Sequence, residues 1–524
     1  MSIMMDHFTQ HSLTVLVVRL LLVPAGLVFQ GCGSDVEVGH ALGHVQQPIA
    51  LETEQALIDA LELYERTRAE RFLIATEPIE RFETMIIPGG VSYLVEDENY
   101  DQLFTLGDEA FETERDRLAG FGQGDAPVDD ALPATPQRIH LGEKGGLDSS
   151  SCRSCHFVGG PDGAGTHTQI ALLRGDGRHL DSATARDAPH VMGLGYIAAL
   201  TEYVNVNLAA QVDGYRAEAA AFETSVFGQL EFDGVDFGTA IFYPDGSVNT
   251  AGLKHISSDF KIRPFGWKGR HGDLVSLVDE ALQVHHGHQS TSREAAYADT
   301  QPETYLGGGP PGDRDGDGIY NELSSSQPLL LAAYLSLLGV PEIHVPAASD
   351  LSTQWAEGQM LFESVGCQEC HRSPRVLAWS SVYLEAGEPG HFGFYVDPLA
   401  VGQDPKPEMN DFLTEYGGTP FFPFTDLRRH DLGPSLAEPV AEKLPDLDEE
   451  IPGERWLTRS LWGLADTAPY LHDGRAQTVD EAIMLHGGDA ELTRIAYIQL
   501  TDEERASLRV YLLSLTRAPT MLVE

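Results

Sequence analysis

Apolar residues recur at helical spacing in several stretches of the chain, and turn-forming residues separate these stretches. The pattern over 52–81 predicts an amphipathic helix that buries Leu57, Ile58, Leu61, Leu63 and Tyr64. The pattern over 101–120 predicts a second helix that buries Leu103, Phe104, Leu106, Ala110 and Phe111. Residues 355–362 repeat this second pattern and predict a third helix. Between the first two helices, residues 86–95 predict a short hairpin around Pro88-Gly89-Gly90.

Segments rich in glycine and proline divide the chain into regions. Residues 33–50 form a polar tether, 307–312 a turn-rich break and 341–349 a linker. A chain of 524 residues is longer than one hydrophobic core usually supports, so more than one domain is expected. We predict an export signal over 1–31, a tether and N-terminal helical extension over 32–98, and two further domains over 99–345 and 346–524.

Two cysteine motifs give the chain its candidate chemistry. The first motif is Cys152-Arg153-Ser154-Cys155-His156, and the second motif is Cys367-Gln368-Glu369-Cys370-His371. In the C-x-x-C-H pattern, two thiols are spaced to form thioethers with the vinyl groups of haem, and the histidine is placed to bind the iron. The two motifs therefore predict two covalently attached c-type haems. The alternative is a zinc site assembled from all four cysteines, although zinc more often takes two C-x-x-C pairs at closer range.

Each cysteine motif follows one of the predicted helices. A helix, a turn and then the haem-binding cysteines is how a cytochrome c domain begins. We therefore predict a mainly α fold in which two cytochrome c-like domains follow an N-terminal extension.

Acidic residues outnumber basic residues by 80 to 34, which gives the chain a net charge of -46. Such a charge repels polyanions, so nucleic acid is excluded as a partner. The same charge attracts a basic redox partner protein, such as a small cytochrome that donates electrons. An adaptation of the surface to high salt is the alternative explanation.

The N-terminal region indicates export. An apolar run over 20–29 follows Arg19 and is too short to span a bilayer, which is typical of the core of an export signal. Gly31-Cys32 then resembles a lipoprotein processing site. We predict an exported protein of the periplasm or cell envelope that reaches the membrane only through a lipid on Cys32, with export without lipidation as the alternative.

An acidic loop offers a candidate calcium site. Asp313, Asp315 and Asp317 alternate with other residues and precede Gly318, a pattern that places carboxylates around a hard cation. Ser324 stands where an EF-hand has its twelfth-position glutamate. The alternative is a solvated acidic turn that binds no ion.

A repeated segment supplies candidate sixth ligands for the two irons. Residues 278–285 match residues 479–486 without a gap, which indicates an internal duplication. We therefore predict that His285 is the sixth ligand of the first haem and His486 that of the second. The competing candidates are His286, His288, His167, His179, His190, Met192 and Met484.

Five further motifs carry a family resemblance. They are PHVMGLG at 189–195, FGWKGR at 265–270, DLRRHDLG at 426–433, LWGL at 461–464 and YLHDGR at 470–475. Together they resemble the bacterial di-haem oxidoreductases of the peroxidase type, which are related to the di-haem cytochrome c peroxidases and to the enzyme that matures methylamine dehydrogenase. The resemblance covers about residues 100–516, and its C-terminal motifs are specific.

The resemblance implies roles for individual residues. It implies that Trp267 lies between the two haems and couples them, with an ordinary core tryptophan as the alternative. It also implies that His486 occupies the position of the sixth ligand of the electron-transfer haem, which is commonly methionine in the peroxidases. The glutamine and the catalytic glutamate of the peroxidases fall on Leu277 and Gly287 here. Glu280 and the histidines His285, His286 and His288 are nearby in the sequence, and one of them could transfer the proton.

Three functions follow from these expectations. The leading hypothesis is an exported oxidoreductase that takes electrons at the C-terminal haem and reduces peroxide or another small oxidant at the N-terminal haem. The second is an electron-transfer cytochrome in which both irons have six ligands. The third is an oxygenase or protein-modifying enzyme of the same superfamily, which requires an open iron and a substrate groove.

Overall fold

A computed structural model describes residues 100–113, 139–140, 143–144, 149, 151–173, 179–288, 290–291, 322–324, 326–377, 381–385, 394–396 and 419–516. All of them belong to the compact unit Phe72–Glu524. The predicted export signal, Cys32, the helix over 52–81 and the hairpin over 86–95 lie outside the described residues. The predicted calcium ligands Asp313, Asp315 and Asp317 also lie outside them.

Eight α-helices lie in the described part of the chain. They are α1 (Tyr100–Glu112), α2 (Leu194–Phe222), α3 (Leu274–His286), α4 (Ser326–Leu337), α5 (Ser349–Ser364), α6 (Val479–Leu485), α7 (Glu491–Gln499) and α8 (Asp502–Leu512). The helix predicted over 101–120 corresponds to α1, and the helix predicted over 355–362 corresponds to α5.

Short strands connect these helices, and each has one or two partners. They are β1 (Ile139–His140), β2 (Glu143–Lys144), β3 (Ala171–Leu173), β4 (Thr184–Arg186), β5 (Val226–Phe232), β6 (Val235–Phe242), β7 (Val248–Leu253), β8 (Glu342–Ile343), β9 (Arg375–Leu377), β10 (Val382–Leu384), β11 (Phe394–Val396), β12 (Thr419–Phe421), β13 (Arg429–Asp431), β14 (Glu442–Lys443), β15 (Glu450–Ile451), β16 (Arg455–Leu457) and β17 (Leu515–Thr516). Only β5, β6 and β7 form a three-stranded antiparallel sheet in the described part. The others pair antiparallel as β1–β2, β3–β4, β8–β17, β9–β12, β10–β11, β13–β16 and β14–β15.

The prediction of a mainly α fold is wrong. The described part of the chain is 41% helical and 18% strand with several small sheets, so the fold is mixed α/β. The largest sheet carried a readable signal, because Asp233-Gly234 and Asp245-Gly246 separate runs rich in β-branched and aromatic residues. Asp233 and Gly234 both have positive φ, as a tight hairpin turn requires. The domain boundary between residues 345 and 346 stays a prediction.

Helix α4 is the centre of the hydrophobic core. All of its residues from Gln327 to Leu337 are buried, as expected for a helix that is apolar on every side. Helices α1, α2 and α3 all pack against it. Helix α1 contributes Leu103, Leu106, Ala110 and Phe111 to this contact, while Phe104 is only partly buried. Because the first motif contacts α1, this core positions that motif.

Helices α5 and α8 pack together beside the second motif. A Cβ atom built on Gly358 of α5 would lie only 2.1 Å from the backbone oxygen of Ser507 in α8. The two helix backbones therefore touch, and no side chain fits at position 358. No helix within the described ranges is both long and apolar enough to cross a membrane.

Gly358→Val should lower the free energy of unfolding by roughly 2 kcal/mol, because the added side chain forces α5 and α8 apart. Chemical denaturation followed by circular dichroism measures this change. Gly214→Ala is the control, since Gly214 lies in α2 with nothing within 4 Å of a built Cβ. That substitution should stabilise by about 0.5–1 kcal/mol through helix propensity. An equal loss in both variants would contradict the close helix contact.

Candidate functional site

The two cysteine motifs fold into the same local structure. Cys152–Ser154 and Cys367–Glu369 each form one turn of 3-10 helix. The N–H of each motif histidine donates to the carbonyl of the first cysteine, at 3.1 Å for His156 and 3.0 Å for His371. The turn therefore holds two thiols and one imidazole together on a short segment, which is the donor set of a c-type haem.

A backbone carbonyl fixes the ring of each motif histidine. Nδ1 of His156 lies 2.8 Å from the oxygen of Pro189, and Nδ1 of His371 lies 3.0 Å from the oxygen of Phe424. Because a carbonyl only accepts, Nδ1 carries the proton and Nε2 keeps a lone pair. Burial lowers the pKa of both histidines to about 4, so both rings are neutral near pH 7. Both Nε2 atoms can therefore bind a metal.

The first motif lines a cavity of about 250 Å³. Cys152, Cys155 and His156 all contribute to its wall. Much of the remaining wall is apolar and includes Phe111, Leu194, Leu277, Leu282, Leu331 and Leu335. An apolar wall beside two thiols and an imidazole suits the flat face of a haem.

Basic side chains line another part of the same cavity. Arg186, Lys268, Arg270 and Arg459 all reach it. Arg270 is 3% exposed, and its Nε and Nη1 atoms have no hydrogen-bond partner among the described residues. A buried guanidinium with unused donors suits an anionic group, and haem carries two carboxylates. The donor set, the apolar wall and the cations together fit a haem at the first motif.

Glu280 and Trp267, the two predicted catalytic residues, line this cavity. Glu280 is held at both carboxylate oxygens, by Arg270 Nη2 at 3.0 Å and by His271 Nε2 at 3.2 Å. The Nε1–H of Trp267 donates to the backbone oxygen of Asp187 at 2.8 Å. The structure thus brings both residues to the first motif, and the partners of Glu280 fix its orientation.

The histidines near the end of α3 occupy different surroundings. His285 is half-buried and lines the cavity. Burial lowers the pKa of His156, and electrostatic repulsion from His285 lowers it further. His286 lies beside the cysteine side of the motif, with Nε2 3.8 Å from the sulfur of Cys152. His288 is buried at 1% exposure. His285 as an iron ligand stays a prediction.

The remaining candidates for the sixth ligand differ in how far their side chains are exposed to solvent. His190 lines the cavity, and Met192 is buried. His167, His179 and Met484 are exposed. Exposed side chains are less suited to a buried iron than His190 or Met192.

His486 lies close to the second motif. Its Nδ1 atom donates to the oxygen of Ala482 at 2.7 Å, so its Nε2 atom keeps a lone pair. Burial and then the neighbouring His486 lower the pKa of His371, which places the two imidazoles near each other. This arrangement is compatible with the predicted pair of axial histidines, and iron binding by His486 stays a prediction.

The segments before His285 and His486 share one backbone pattern. Each begins with a seven-residue loop closed by a β-bridge, over 265–271 in the first half and 470–476 in the second. The second and fifth residues have positive φ in both loops, with values of 79° and 64° in the first and 74° and 65° in the second. A capped helix follows each loop, α3 in the first half and α6 in the second. The chain therefore contains a structural repeat.

This repeat aligns the two halves four residues away from the gapless sequence match. The equivalent N-caps are Asp273 and Thr478, and each side chain accepts from the N–H three residues later. Counted from these caps, the residue equivalent to His486 is Ala281. His285 lies one helical turn further along α3. Ala281 lines the cavity of the first motif.

Asp187 is a cavity residue that the sequence did not single out. Burial raises its pKa to about 6, and its Oδ1 atom has no hydrogen-bond partner among the described residues. It precedes Pro189, whose carbonyl fixes His156. A carboxyl group that titrates near neutral pH can exchange protons with the cavity. No spacing or composition signal marks this residue, because its burial depends on the other half of the chain.

A buried ion cluster lies beside the second motif. Asp426 is 1% exposed and accepts from His430 Nε2 at 2.8 Å and from Arg428 Nε at 2.7 Å. Burial opposes the charge on His430, but the hydrogen bond to Asp426 raises its pKa to about 10. The ring of His255 lies 4.4 Å from that of His430 at an angle of 31°, and Asp489 Oδ2 lies 3.4 Å from Nδ1 of His430. His430 is therefore a buried imidazolium held between carboxylates.

The described residues do not gather the four motif cysteines into one site. Among them, the groups that could hold a metal ion are His255 with His430 and Asp489, and Cys370 with Asp426 and His430. The four-cysteine zinc site is therefore disfavoured.

One segment of the chain matches a known protein family. Residues 408–515 match the family described as "Di-haem oxidoreductase, putative peroxidase". This segment is similar to the di-haem oxidoreductase family, and the match covers about a fifth of the chain. The resemblance inferred from the LWGL and YLHDGR motifs is thereby confirmed, and the matched segment contains the ion cluster and His486. The family name implies haem cofactors and an oxidoreductase activity.

Other comparisons add little to this di-haem oxidoreductase match. A search of curated proteins found no match. Among solved structures, a hydrazine synthase of Kuenenia stuttgartiensis pressurized with 20 bar xenon matches 41% of this chain with 19% sequence identity and a TM-score of 0.21. This chain spans 66% of the length of that chain.

Asp426→Asn should lower the free energy of unfolding by about 3 kcal/mol near pH 6.5, because it leaves His430 and Arg428 without their shared carboxylate. The folded pKa of His430 is raised from 6.5 to about 10, so its stabilising effect is complete below pH 6.5 and is lost as the pH rises through 10. The difference between variant and parent should therefore shrink with rising pH. Urea unfolding at pH 6.5 and near pH 10 measures both effects.

Asp489→Asn is the matched control for this experiment. The side chain of Asp489 is 40% exposed, so its interaction with His430 is screened by solvent. The loss should stay below about 1 kcal/mol. Equal losses for the two variants would contradict the buried ion pair as the source of the effect.

Proposed function

We propose that this chain is an exported di-haem c-type cytochrome that works as an oxidoreductase. Electrons from a partner protein enter at the haem of the second motif. They then serve to reduce peroxide or another small oxidant at the haem of the first motif. Each haem, when bound, supplies an iron that stores and releases one electron.

The structural repeat is the observation that carries this proposal. His486 follows α6 near the second motif, whereas the equivalent residue at the first motif is Ala281. A methyl group offers no ligand, so the two sites are unequal in their distal chemistry. A site with two histidines suits electron transfer, and a site with one histidine and a cavity suits reaction with an oxidant.

Glu280 is the residue that we assign to proton transfer. Reduction of one hydrogen peroxide molecule to two water molecules consumes two electrons and two protons. Glu280 takes a proton from one peroxide oxygen and returns it to the departing oxygen, while Arg270 and His271 hold the carboxylate in place. Asp187, with a pKa of about 6, exchanges the further protons with solvent.

The charge of the chain suits its electron donor. With a net charge of -46, the surface attracts a basic redox protein and favours fast encounter at low salt. Export agrees with this function, since c-type haem is normally attached outside the cytoplasm in bacteria. A lipid on Cys32 would hold the protein at the membrane surface.

His285 supports a second candidate function. It lies on the next turn of α3 after Ala281, lines the same cavity and influences the pKa of His156. If His285 binds the first iron, both sites have six ligands and the chain is an electron-transfer cytochrome without an oxidant site.

Electron paramagnetic resonance of the oxidised and half-reduced protein, with and without hydrogen peroxide, distinguishes these functions. The oxidoreductase predicts one low-spin haem and one haem that is high-spin or becomes so on half-reduction, with a signal that peroxide changes. Two low-spin haems that half-reduction and peroxide leave unchanged would establish the electron-transfer cytochrome instead.

Replacing both cysteines of one motif should remove one covalent haem. Cys152→Ser with Cys155→Ser, and separately Cys367→Ser with Cys370→Ser, should each reduce the covalently bound haem from two per chain to one. Pyridine haemochrome absorbance and intact protein mass measure this ratio. Cys32→Ser is the control and should retain both haems. Two haems in either double variant would contradict covalent attachment at that motif.

Glu280→Gln should lower the turnover of hydrogen peroxide by roughly a hundredfold, because the amide cannot transfer the proton. The measurement is steady-state peroxide reduction with a reduced electron donor. Glu438→Gln is the control, because Glu438 is a buried carboxylate paired with Arg186 that does not line the cavity. An unchanged rate in Glu280→Gln would exclude Glu280 as the acid and base and would direct attention to Asp187.

A further inference from the structure

A second repeated pattern joins the two halves near the motif histidines. A glycine followed by leucine occurs at Gly193 and at Gly463, and both glycines have left-handed backbones, with φ of 71° and 63°. Met192 precedes the first glycine, and Trp462 precedes the second. The two segments are thus equivalent in backbone and different in one large side chain.

Two backbone hydrogen bonds follow the same two-fold relation. Asp187 N–H donates to the oxygen of His472 at 2.7 Å, and Leu457 N–H donates to the oxygen of Trp267 at 3.1 Å. Each donor lies six residues before one of the repeated glycines, and each acceptor is the third residue of a seven-residue loop described above. The halves therefore contact each other through equivalent residues, as in an isologous dimer.

The segments around Gly193 and Gly463 cross where the two halves meet. At this crossing, the residue before each glycine packs on the glycine of the other half. A Cβ atom built on Gly193 would lie 2.3 Å from Cζ3 of Trp462, and one built on Gly463 would lie 3.6 Å from Cε of Met192. The indole therefore fills space that only glycine leaves open. Trp462 is 5% exposed, so it is part of the core between the halves.

Trp462 also connects the carbonyl groups that fix both motif histidines. Its Nε1–H donates at 2.5 Å to the oxygen of Phe422, two residues before Phe424, whose carbonyl fixes the histidine of the second motif. On its other face lies Gly193, four residues after Pro189, whose carbonyl fixes the histidine of the first motif. One side chain thus joins the two segments that hold the proposed iron ligands.

Packing around Trp462 is nearly continuous. A cavity of only about 20 Å³ adjoins the indole, and His190 and Thr425 line it as well. These two residues directly follow Pro189 and Phe424. A space of this size holds about one water molecule at most. Bonds, a hydrogen bond and close packing therefore connect the two segments, and electrons tunnel more readily through these than across gaps.

The contacts of Trp267 reach other parts of the structure. Its indole donates to Asp187, its carbonyl accepts from Leu457, and Arg459 lies 5.3 Å from the ring centre. The first of these contacts leads to the first motif. The others lead to β16, and from there Thr425 Oγ1 donates to the oxygen of Thr458 at 2.6 Å, so this route to the second histidine needs one more hydrogen bond than the route through Trp462.

We propose that Trp462 is the side chain that couples the two histidine sites electronically. This inference rests on the proposed function for the existence of electron exchange between the sites. One electron leaves the reduced second site and arrives at the oxidised first site. Trp462 is the medium, so it neither gains nor loses an electron in the net step, and no bond forms or breaks.

The rate of electron exchange after flash photoreduction of the oxidised holoprotein tests this proposal. Trp462→Leu should slow equilibration between the haems by roughly tenfold or more, because it removes the indole, its hydrogen bond and its packing. Trp462→Phe keeps aromatic packing and loses only the hydrogen bond, so it should fall between the parent and Trp462→Leu. The midpoint potentials and the haem content should stay unchanged in both variants.

Trp456→Phe and Trp267→Phe complete the experiment. Trp456 is a similarly buried tryptophan whose ring stacks on His472 and whose Nε1–H donates to the oxygen of Leu436 rather than to a segment that holds a motif histidine, so its loss should not slow the exchange. A parent-like rate in Trp462→Leu would overturn the proposal, and a slow rate in Trp267→Phe alone would assign the coupling to Trp267. Slowing that follows thermal stability across all variants would show a structural role only.

The proposal and the proposed function fail in different ways. If the parent protein does not reduce peroxide but Trp462→Leu still slows exchange between the haems, the coupling stands and the oxidant assignment fails. If peroxide is reduced at the parent rate while exchange is unaffected in Trp462→Leu, the function stands and the coupling is wrong.

Discussion

The hydrogen bond between each motif histidine and a distant backbone carbonyl is the constraint on which the site depends. It fixes the tautomer, so that Nε2 faces away with a lone pair, and it requires the chain to return to the motif with a carbonyl pointing inward. The returning segments are those around Pro189 and Phe424. Much of the described architecture serves to bring these two segments back, and the short strand pairs hold them in position.

Buried charges lie beside both motifs of this very acidic protein. The cavity of the first motif is lined by four cations together with the carboxyl groups of Asp187, Glu280 and Glu442, whereas the second motif has a buried carboxylate that holds a protonated histidine. A haem iron changes its charge by one unit when it gains or loses an electron. Nearby buried charges stabilise one of these states over the other, so different surroundings give the two sites different potentials.

The sequence was most informative where chemistry depends on neighbouring residues. The C-x-x-C-H motifs, α1 and α5 were all readable, because thiol spacing and helical periodicity are local patterns. The two-residue strands were not, because a run of two residues is too short to show an alternating pattern, and β8 and β17 are also distant from each other in the chain. The gapless match aligned His285 with His486 on side-chain identity, whereas caps and turns align Ala281 with His486. An alignment of two helical sequences can shift by one turn and still match apolar residues with apolar residues. Asp187 gives no sequence signal, since its environment comes from both halves.

The crossing of Met192 and Trp462 has a consequence for the origin of the molecule. Two identical copies of the first half would place a methionine on each glycine and leave empty the space that the indole now fills. Two copies of the second half would bring two indoles to one axis, where only glycine faces them. The halves are therefore no longer interchangeable. The joint fits one half of each kind, because Trp462 and Met192 differ in size and each packs on the glycine of the other half.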